Sequence, residues 1–378
     1  MMKLVVIVLS GILYLGLVLG EINEEKECGF PAIYNFGDSN SDTGGKSAAF
    51  HEVQPPNGET FFNRPFGRVC DGRLIIDLIA DRLDLQYLSA YLDSIGADFR
   101  NGANFATVGS SILPGGYSPF YLGVQISQFL QFKKRTINLT ITNSKWSSSK
   151  VNINIPKPDD FSKALYTFDI GQNDLSYGFQ HSHEAQVRAS IPQILDIFTQ
   201  AIHQLYIEGA QNFWIHNTGP IGCLPYSVIS YPLKPRGLDA TGCIESQNEV
   251  AREFNKQLKD RISHLRKELT HSAITYVDIY SAKYKLISTA KKQGFGDPMK
   301  FCCGWYKNGY EVACGQTRVV NGTEYGKACS DPTKYISWDG IHYTDAANVW
   351  LANSILNGSF SDPPIPIEQS CTHLSTRV

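Results

Sequence analysis

Hydrophobic positions along this chain fall into two alternating kinds of run. Short β-prone stretches at residues 32–36, 103–106, 165–170, 212–217 and 274–280 each stop at glycine or a polar turn. Helical patterns lie between them. Leu74, Ile75, Leu78, Ile79 and Leu83 share one helical face, and Ile191, Ile194, Leu195, Phe198, Ile202 and Leu205 keep the 3.6 period over four turns. Residues 245–269 predict a longer, more charged helix with Val250, Phe254, Leu258, Ile262 and Leu265 in one stripe; 125–132, 282–291 and 344–356 complete the set. Strands alternating with helices predict an α/β chain with a parallel sheet covered on both faces.

No repeat, linker or shift in composition divides residues 21–360, which read as a single domain. Residues 136–160, rich in Ser, Asn and Lys, and 302–334, rich in Cys and Gly, read as exposed insertions; 361–378, with three prolines, read as an extended tail. Of 378 residues, 42% are hydrophobic and 19% charged, enough for a sizeable core and too apolar for a disordered chain. The formal net charge of −2 argues against a nucleic-acid partner.

The N-terminus supplies an address. After Met-Met-Lys, residues 4–19 are apolar apart from Ser10, Gly11, Tyr14 and Gly16, and an acidic run follows Gly20. That layout predicts a signal peptide over residues 1–20, with Val18 and Gly20 as the small residues before the cut. An uncleaved anchor is the alternative, since sixteen residues fall just short of a membrane span. No later segment is apolar and long enough to cross a bilayer, so the expectation is a secreted protein of the cell wall or apoplast, or a vacuolar one. Asn138, Asn321 and Asn357 head glycosylation sequons. All nine cysteines follow residue 27, and an oxidising compartment favours disulfides with one cysteine left over. Adjacent Cys302 and Cys303, with no C-x-x-C pair, argue against zinc, and no other metal or cofactor is called for.

Three segments carry chemistry. The first β run ends in Phe36-Gly37-Asp38-Ser39-Asn40-Ser41-Asp42-Thr43-Gly44-Gly45, placing a serine at the carboxyl end of a parallel strand, where such sheets present ligand-binding groups; Gly37 allows a sharp bend there. The third run ends in Asp169-Ile170-Gly171-Gln172-Asn173-Asp174, where an asparagine amide can donate to a developing oxyanion. Before the last helix stands Trp338-Asp339-Gly340-Ile341-His342-Tyr343-Thr344. A carboxylate three residues before a histidine can fix its tautomer and leave the other nitrogen for a serine proton; alternatively Asp339 only caps the helix.

Together with Gly102-Ala103-Asn104-Phe105-Ala106-Thr107-Val108-Gly109, these segments resemble, in order, the four signature blocks of the GDSL, or SGNH, hydrolase family, closest to its secreted plant esterase/lipase branch with early-nodulin-like members. The resemblance implies a three-layer α/β/α, flavodoxin-like fold with a five-stranded parallel sheet. It implies Ser39 as nucleophile, Asp339 and His342 as its partners, and an oxyanion hole from Ser39, Gly109 and Asn173. Because the second block reads Ala106-Thr107-Val108-Gly109-Ser110 rather than a more Gly/Ala-rich stretch, Gly102 is the fallback for Gly109.

The chemistry expected is acyl transfer through serine, releasing acid from a small-molecule or glycan ester, with short acyl or acetyl esters of sugars or secondary metabolites preferred over lipids. An acyltransferase using the same residues and a non-catalytic wall or storage glycoprotein are the competing classes. Elsewhere, His181 and His183 read as loop residues rather than a metal pair, His216 as a hydrogen-bonded core histidine, and 256–261 as the wet face of a helix. The aromatics at 117–121 either line an acyl or alcohol pocket or pack under a loop.

Overall fold

The computed structural model describes residues 27–146, 154–230, 237–307, 310–320 and 322–372; the leader at 1–20 and Asn321 lie outside the described residues. Strand β1 (Ile33–Gly37) is followed by α1 (Ile75–Arg82), β2 (Gly102–Asn104), α2 (Leu122–Trp146), β3 (Leu165–Asp169), α3 (Gln172–His181) and α4 (Glu184–Ile207). Then come β4 (Asn212–His216), α5 (Pro225–Ser230), α6 (Glu245–Glu268), β5 (Ala273–Val277) and α7 (Ile279–Ser288). Two small hairpins, β6–β7 (Trp305–Lys307 with Tyr310–Val312) and β8–β9 (Arg318–Val320 with Thr323–Tyr325), precede α8 (Asp345–Ile355) and β10 (Ser361–Asp362).

Alternation along the strands sorts side chains onto two faces of one sheet. Tyr34, Phe36, Tyr166, Phe168, Phe213 and Ile215 turn toward α2, α4 and α6, while Ile33, Leu165, Trp214 and Val277 turn toward α1, α7 and α8. The result is the expected three-layer α/β/α architecture. On the first face the Phe36 ring stacks between Phe105 and Phe168, at 5.3 and 5.0 Å between centroids, three positions before Ser39. Full burial of a Phe contributes about 1.5–3 kcal/mol.

The five β runs pair in parallel in the order β2-β1-β3-β4-β5, and a sixth strand joins them. Strand β10 runs antiparallel to β5, with Ser361 opposite Val277 and Asp362 opposite Tyr276, correcting the five-stranded expectation. It arises within the segment read as an extended tail, because two paired residues are too few to leave a period-2 signature. Cys371, beyond it, is disulfide-bonded to Cys28, and Ile367 is buried.

Three further differences have local causes. Helix α2 continues to Trp146 through the first part of the predicted 136–160 insertion, where Thr140 and Thr142 hydroxyls donate back to the carbonyls of Thr136 and Asn138 and polar composition hides the periodicity. Strand β5 stops at Val277 because the Asp278 carboxylate accepts from the Ser281 N–H at 3.0 Å and caps α7, which starts three residues before the predicted helix. The 302–334 insertion is two hairpins cross-linked by Cys302–Cys329 and Cys303–Cys314. Cys223–Cys243 is the fourth disulfide, and Cys70 is the buried cysteine left over.

Candidate active site

Strand β1 delivers the serine. Gln125 of α2 grips the strand's end from both sides: its Oε1 accepts from the Gly37 N–H at 2.9 Å and its Nε2 donates to the Gly37 carbonyl at 2.8 Å. A Cβ on Gly37 would lie 2.3 Å from Ser41 Oγ and 2.8 Å from the Asp169 carbonyl, so this position demands glycine for space rather than for a bend. The Asp38 N–H still follows the sheet, donating to the Asp169 carbonyl at 3.2 Å, and the chain leaves the sheet at Ser39. Asn40 folds back with its N–H and Nδ2 on Asp38 Oδ1, at 2.9 and 3.0 Å. Ser39 is 5% exposed; among the described residues its hydroxyl and its N–H have no hydrogen-bond partner.

The second and third blocks are laced to the first. Buried Asp42 accepts from the N–H groups of Gly44, Gly45 and Lys46 and reaches the Val108 N–H at 2.9 Å, which sets the turn at Gly109. Gly109 has φ +79, a conformation that favours glycine, and its N–H is also without an acceptor among the described residues. Asn173, in the first turn of α3, donates from Nδ2 to the Ser110 carbonyl at 2.9 Å and to Asp38 Oδ2 at 3.2 Å, touching the neighbours of both Gly109 and Ser39. Asp174 accepts from the Ile112 and Leu113 N–H groups at 2.8 and 2.9 Å. Gly102 pairs with Ile33 at the opposite end of β1 from Ser39, so the fallback position lies away from this cluster.

The fourth block is a closed turn. Asp339 Oδ1 accepts from the N–H groups of Ile341 and His342 at 2.9 and 2.8 Å, and Oδ2 lies 2.6 Å from His342 Nδ1. The cap of α8 is Thr344, whose hydroxyl accepts from the Ala347 N–H, leaving Asp339 to the histidine. His342 is 8% exposed, and its Nε2 makes no hydrogen bond among the described residues. Two anchors hold the turn: Trp338 Nε1 donates to Asn57 at 2.9 Å, and the N–H groups of Cys302 and Cys303 both donate to the Trp338 carbonyl, at 2.9 and 2.6 Å. The disulfide-linked hairpins thus brace the Asp339–His342 segment.

Charges beneath the turn couple the blocks. Burial, then the Asp169 charge, pushes the Asp38 carboxyl up to about 7, against the Asn40 N–H, Lys283 and His342. Burial also works against Asp339, but the His342 imidazole and the N–H groups of His342 and Ile341 outweigh it and hold that carboxyl below its ordinary value. Trp214 Nε1 donates to His216 Nε2 at 3.1 Å, which leaves the Nδ1–H to face Asp169 Oδ2 at 3.3 Å; His216 is the hydrogen-bonded core residue expected. Burial opposes ionisation of Asp169 too, yet the His216 hydrogen bond and the Lys283 charge keep it low. Lys283 of α7 is 3% exposed, its Nζ 4.8 Å from the Tyr343 ring centroid. Burial lowers its pKa, against the charges of Asp169 and Asp38. Asp38, Asp42, Asp174 and Lys283 carry no role in the motif reading; a sequence signal exists only for the three carboxylates, set among small and apolar residues after a strand.

Residues 33–355 match the family model described as GDSL-like Lipase/Acylhydrolase. The chain is 55% identical over 349 residues to a GDSL esterase/lipase of Arabidopsis thaliana, covering 91% of each. It is 47% identical over 357 residues to an esterase of Hevea brasiliensis, covering 91% of this chain and 90% of that one. To the GDSL esterase/lipase ENOD8 of Medicago truncatula it is 45% identical over 358 residues, covering 92% and 91%. By the span of that match and the level of those identities, the chain belongs to the GDSL-like lipase/acylhydrolase family of carboxylic ester hydrolases.

Proposed function

We propose that this protein is a secreted serine esterase that cleaves short acyl esters, acetyl esters of sugars or secondary metabolites foremost, through an acyl-enzyme on Ser39. The observation that carries the reading is the buried Asp339–His342 pair at 2.6 Å, with Nε2 of the same ring unengaged. A histidine so held keeps its proton on Nδ1 and offers the Nε2 lone pair to a hydroxyl.

As Ser39 Oγ attacks the ester carbonyl carbon, His342 takes the hydroxyl proton and the carbonyl electrons move onto oxygen. The unengaged N–H groups of Ser39 and Gly109 and the Nδ2 of Asn173 receive that oxyanion. Of the two resting contacts of Asn173, the one to Asp38, at 3.2 Å, is the longer and is the one released to it. Collapse expels the alcohol with the proton from His342. Water then attacks the acyl-enzyme with His342 as base, and the carboxylate leaves as Ser39 regains its proton.

Secretion fits the four disulfides. Asn138 and Asn357 are exposed and suit glycan attachment; the sequon at Asn321 is assigned the same role. Ser39→Ala tests the reading: acetate release from acetyl esters should fall to background while the folded signal persists, and retained turnover would refute it. Running the wild type with and without an added acceptor alcohol reports whether free acid or a new ester is the product.

A further inference from the structure

We infer that the aromatic row formed by Tyr117, Tyr177 and His181, which begins at the oxyanion donors and runs outward along α3, is a saccharide-binding platform seating the sugar of a glycan ester beside Ser39. The inference rests on the esterase reading and names the substrate class for that site.

Asn173, Tyr177 and His181 follow at i, i+4 and i+8 on α3, so they share one helical face and are spaced about 6 Å apart along the axis at each four-residue step. The His181 ring stacks on Tyr177 with centroids 4.0 Å apart and planes 21° apart. Tyr117, from the loop after the second block, meets Tyr177 edge-on at 5.2 Å, and its hydroxyl lies 3.4 Å from Ser176 Oγ. A Cβ on Gly109 would touch Tyr117 Cβ at 3.1 Å, so the ring starts where one oxyanion donor ends. Asn173 sits at the other side of the same segment, on the Ser110 carbonyl. The row is therefore continuous with the catalytic cluster.

Its exposure is the second observation. Tyr117 is 43% exposed, His181 is exposed and Tyr177 is half-buried, whereas the large aromatics of the two sheet faces are buried. Exposed aromatic surface rimmed by polar groups marks a binding site rather than a core. The rim is polar here: the hydroxyls of Tyr117 and Ser176 meet along it, and His181 Nδ1 donates to the Tyr177 carbonyl at 2.9 Å, leaving Nε2 as an acceptor. A pyranose, with an apolar C–H face and a belt of hydroxyls, matches the exposed surfaces of Tyr117 and His181 with such an edge. An acyl chain draws its affinity from enclosed apolar walls and gains nothing from the rim.

The test compares kcat/KM for acetylated cellobiose and acetylated xylobiose with that for ethyl acetate, which has no ring to stack. Removing rings with Tyr117→Ala and His181→Ala together should lower the ratio of saccharide to ethyl ester by about tenfold, chiefly through KM, with roughly threefold from each alone. Tyr117→Phe, which keeps the ring, should hold the ratio within about twofold of wild type. A ratio unmoved by the double variant, or lost equally in Tyr117→Phe, overturns the platform while leaving the esterase standing. A loss seen only with octanoate esters assigns the rings to the acyl chain and overturns it as well. Calorimetric titration of Ser39→Ala with cellobiose and xylobiose reads the platform without turnover: binding that weakens on adding the two alanines supports it whatever the fate of the esterase reading, and no binding of either sugar counts against it.

Discussion

Replacing Asp174 by Asn should reshape how stability depends on pH, because this carboxyl holds the loop that follows Gly109 to the helix that carries Asn173. Burial pushes it up to about 7 from an ordinary value of 3.8, against the N–H groups of Leu113 and Ile112 and its own. Between those two values the folded state keeps a proton that the unfolded state has released. Unfolding free energy therefore falls as pH rises through that window, by about 1.4 kcal/mol per unit and about 4 kcal/mol in all, and is level above it. Asparagine has the same shape and cannot ionise, so it escapes this loss. It keeps one acceptor for the Ile112 and Leu113 N–H groups and leaves the other without one, at a cost of roughly 1–3 kcal/mol. The variant should thus be less stable than wild type near pH 4 and equal or more stable near pH 8. Urea denaturation with disulfides intact, repeated at half-unit steps from pH 4 to 8.5, reads the difference, and titrations common to both proteins cancel in it. Parallel curves for wild type and Asp174→Asn across that range would show that the carboxyl ionises in the folded protein as it does in water, and the reasoning from burial would be wrong.

Asn173→Ala should lower kcat on acetyl esters about 10²- to 10³-fold with little change in KM, the signature of a donor engaged mainly in the transition state; a loss carried by KM alone would remove Asn173 from the oxyanion hole. Asp339→Asn keeps the shape of the turn but presents an amide to His342 Nδ1, and kcat should drop about 10³- to 10⁴-fold through the wrong tautomer. Activity within tenfold of wild type would make the pair structural. Lys283→Met takes away the cation that favours ionisation of Asp38 and Asp169, so Asp38 should hold its proton to higher pH and stability should decline more steeply as pH rises from 6 to 8. An unchanged slope in denaturation across that interval would show that the Lys283 ammonium does not reach these carboxyls.

How much of this was legible in the sequence follows the range of the physics. The strand and helix periods, and the three-residue spacing of Asp339 and His342, are local patterns, and the structure keeps them: the two side chains meet at 2.6 Å within one turn. Chain-distant relations were not visible. Gly37 reads locally as a bend, yet its need for glycine comes from Ser41 Oγ and the Asp169 carbonyl, the latter more than a hundred positions away. Strand β10 exists because its two residues find the edge of β5, not because they look like a strand. Helix α2 runs on through a polar stretch whose threonine hydroxyls bond back to the preceding turn, so no apolar period marks its length in the sequence.

The buried charges make the same point more sharply, and they bear on why the motif residues suffice to find the site but not to build it. A carboxylate in a turn, as Asp38, Asp42 and Asp174 read from sequence, is ordinarily solvated. In the fold Asp38 and Asp42 are buried and Asp174 is half-buried, and each is given backbone N–H donors: Asn40 for Asp38; Gly44, Gly45, Lys46 and Val108 for Asp42; Ile112 and Leu113 for Asp174. These contacts cross between blocks at Asp42 and Asp174, and Asn173 closes the circuit onto Asp38. Preorganised donors favour a transition state only if they need not move to meet it. Carboxylates locked between loops supply that rigidity at a cost in stability above neutral pH, set by the raised Asp38 and Asp174 carboxyls. The Asp38 and Asp174 carboxyls, bonded to the Ser39 turn and to the loop after Gly109, should therefore set how stability declines from acid to neutral pH.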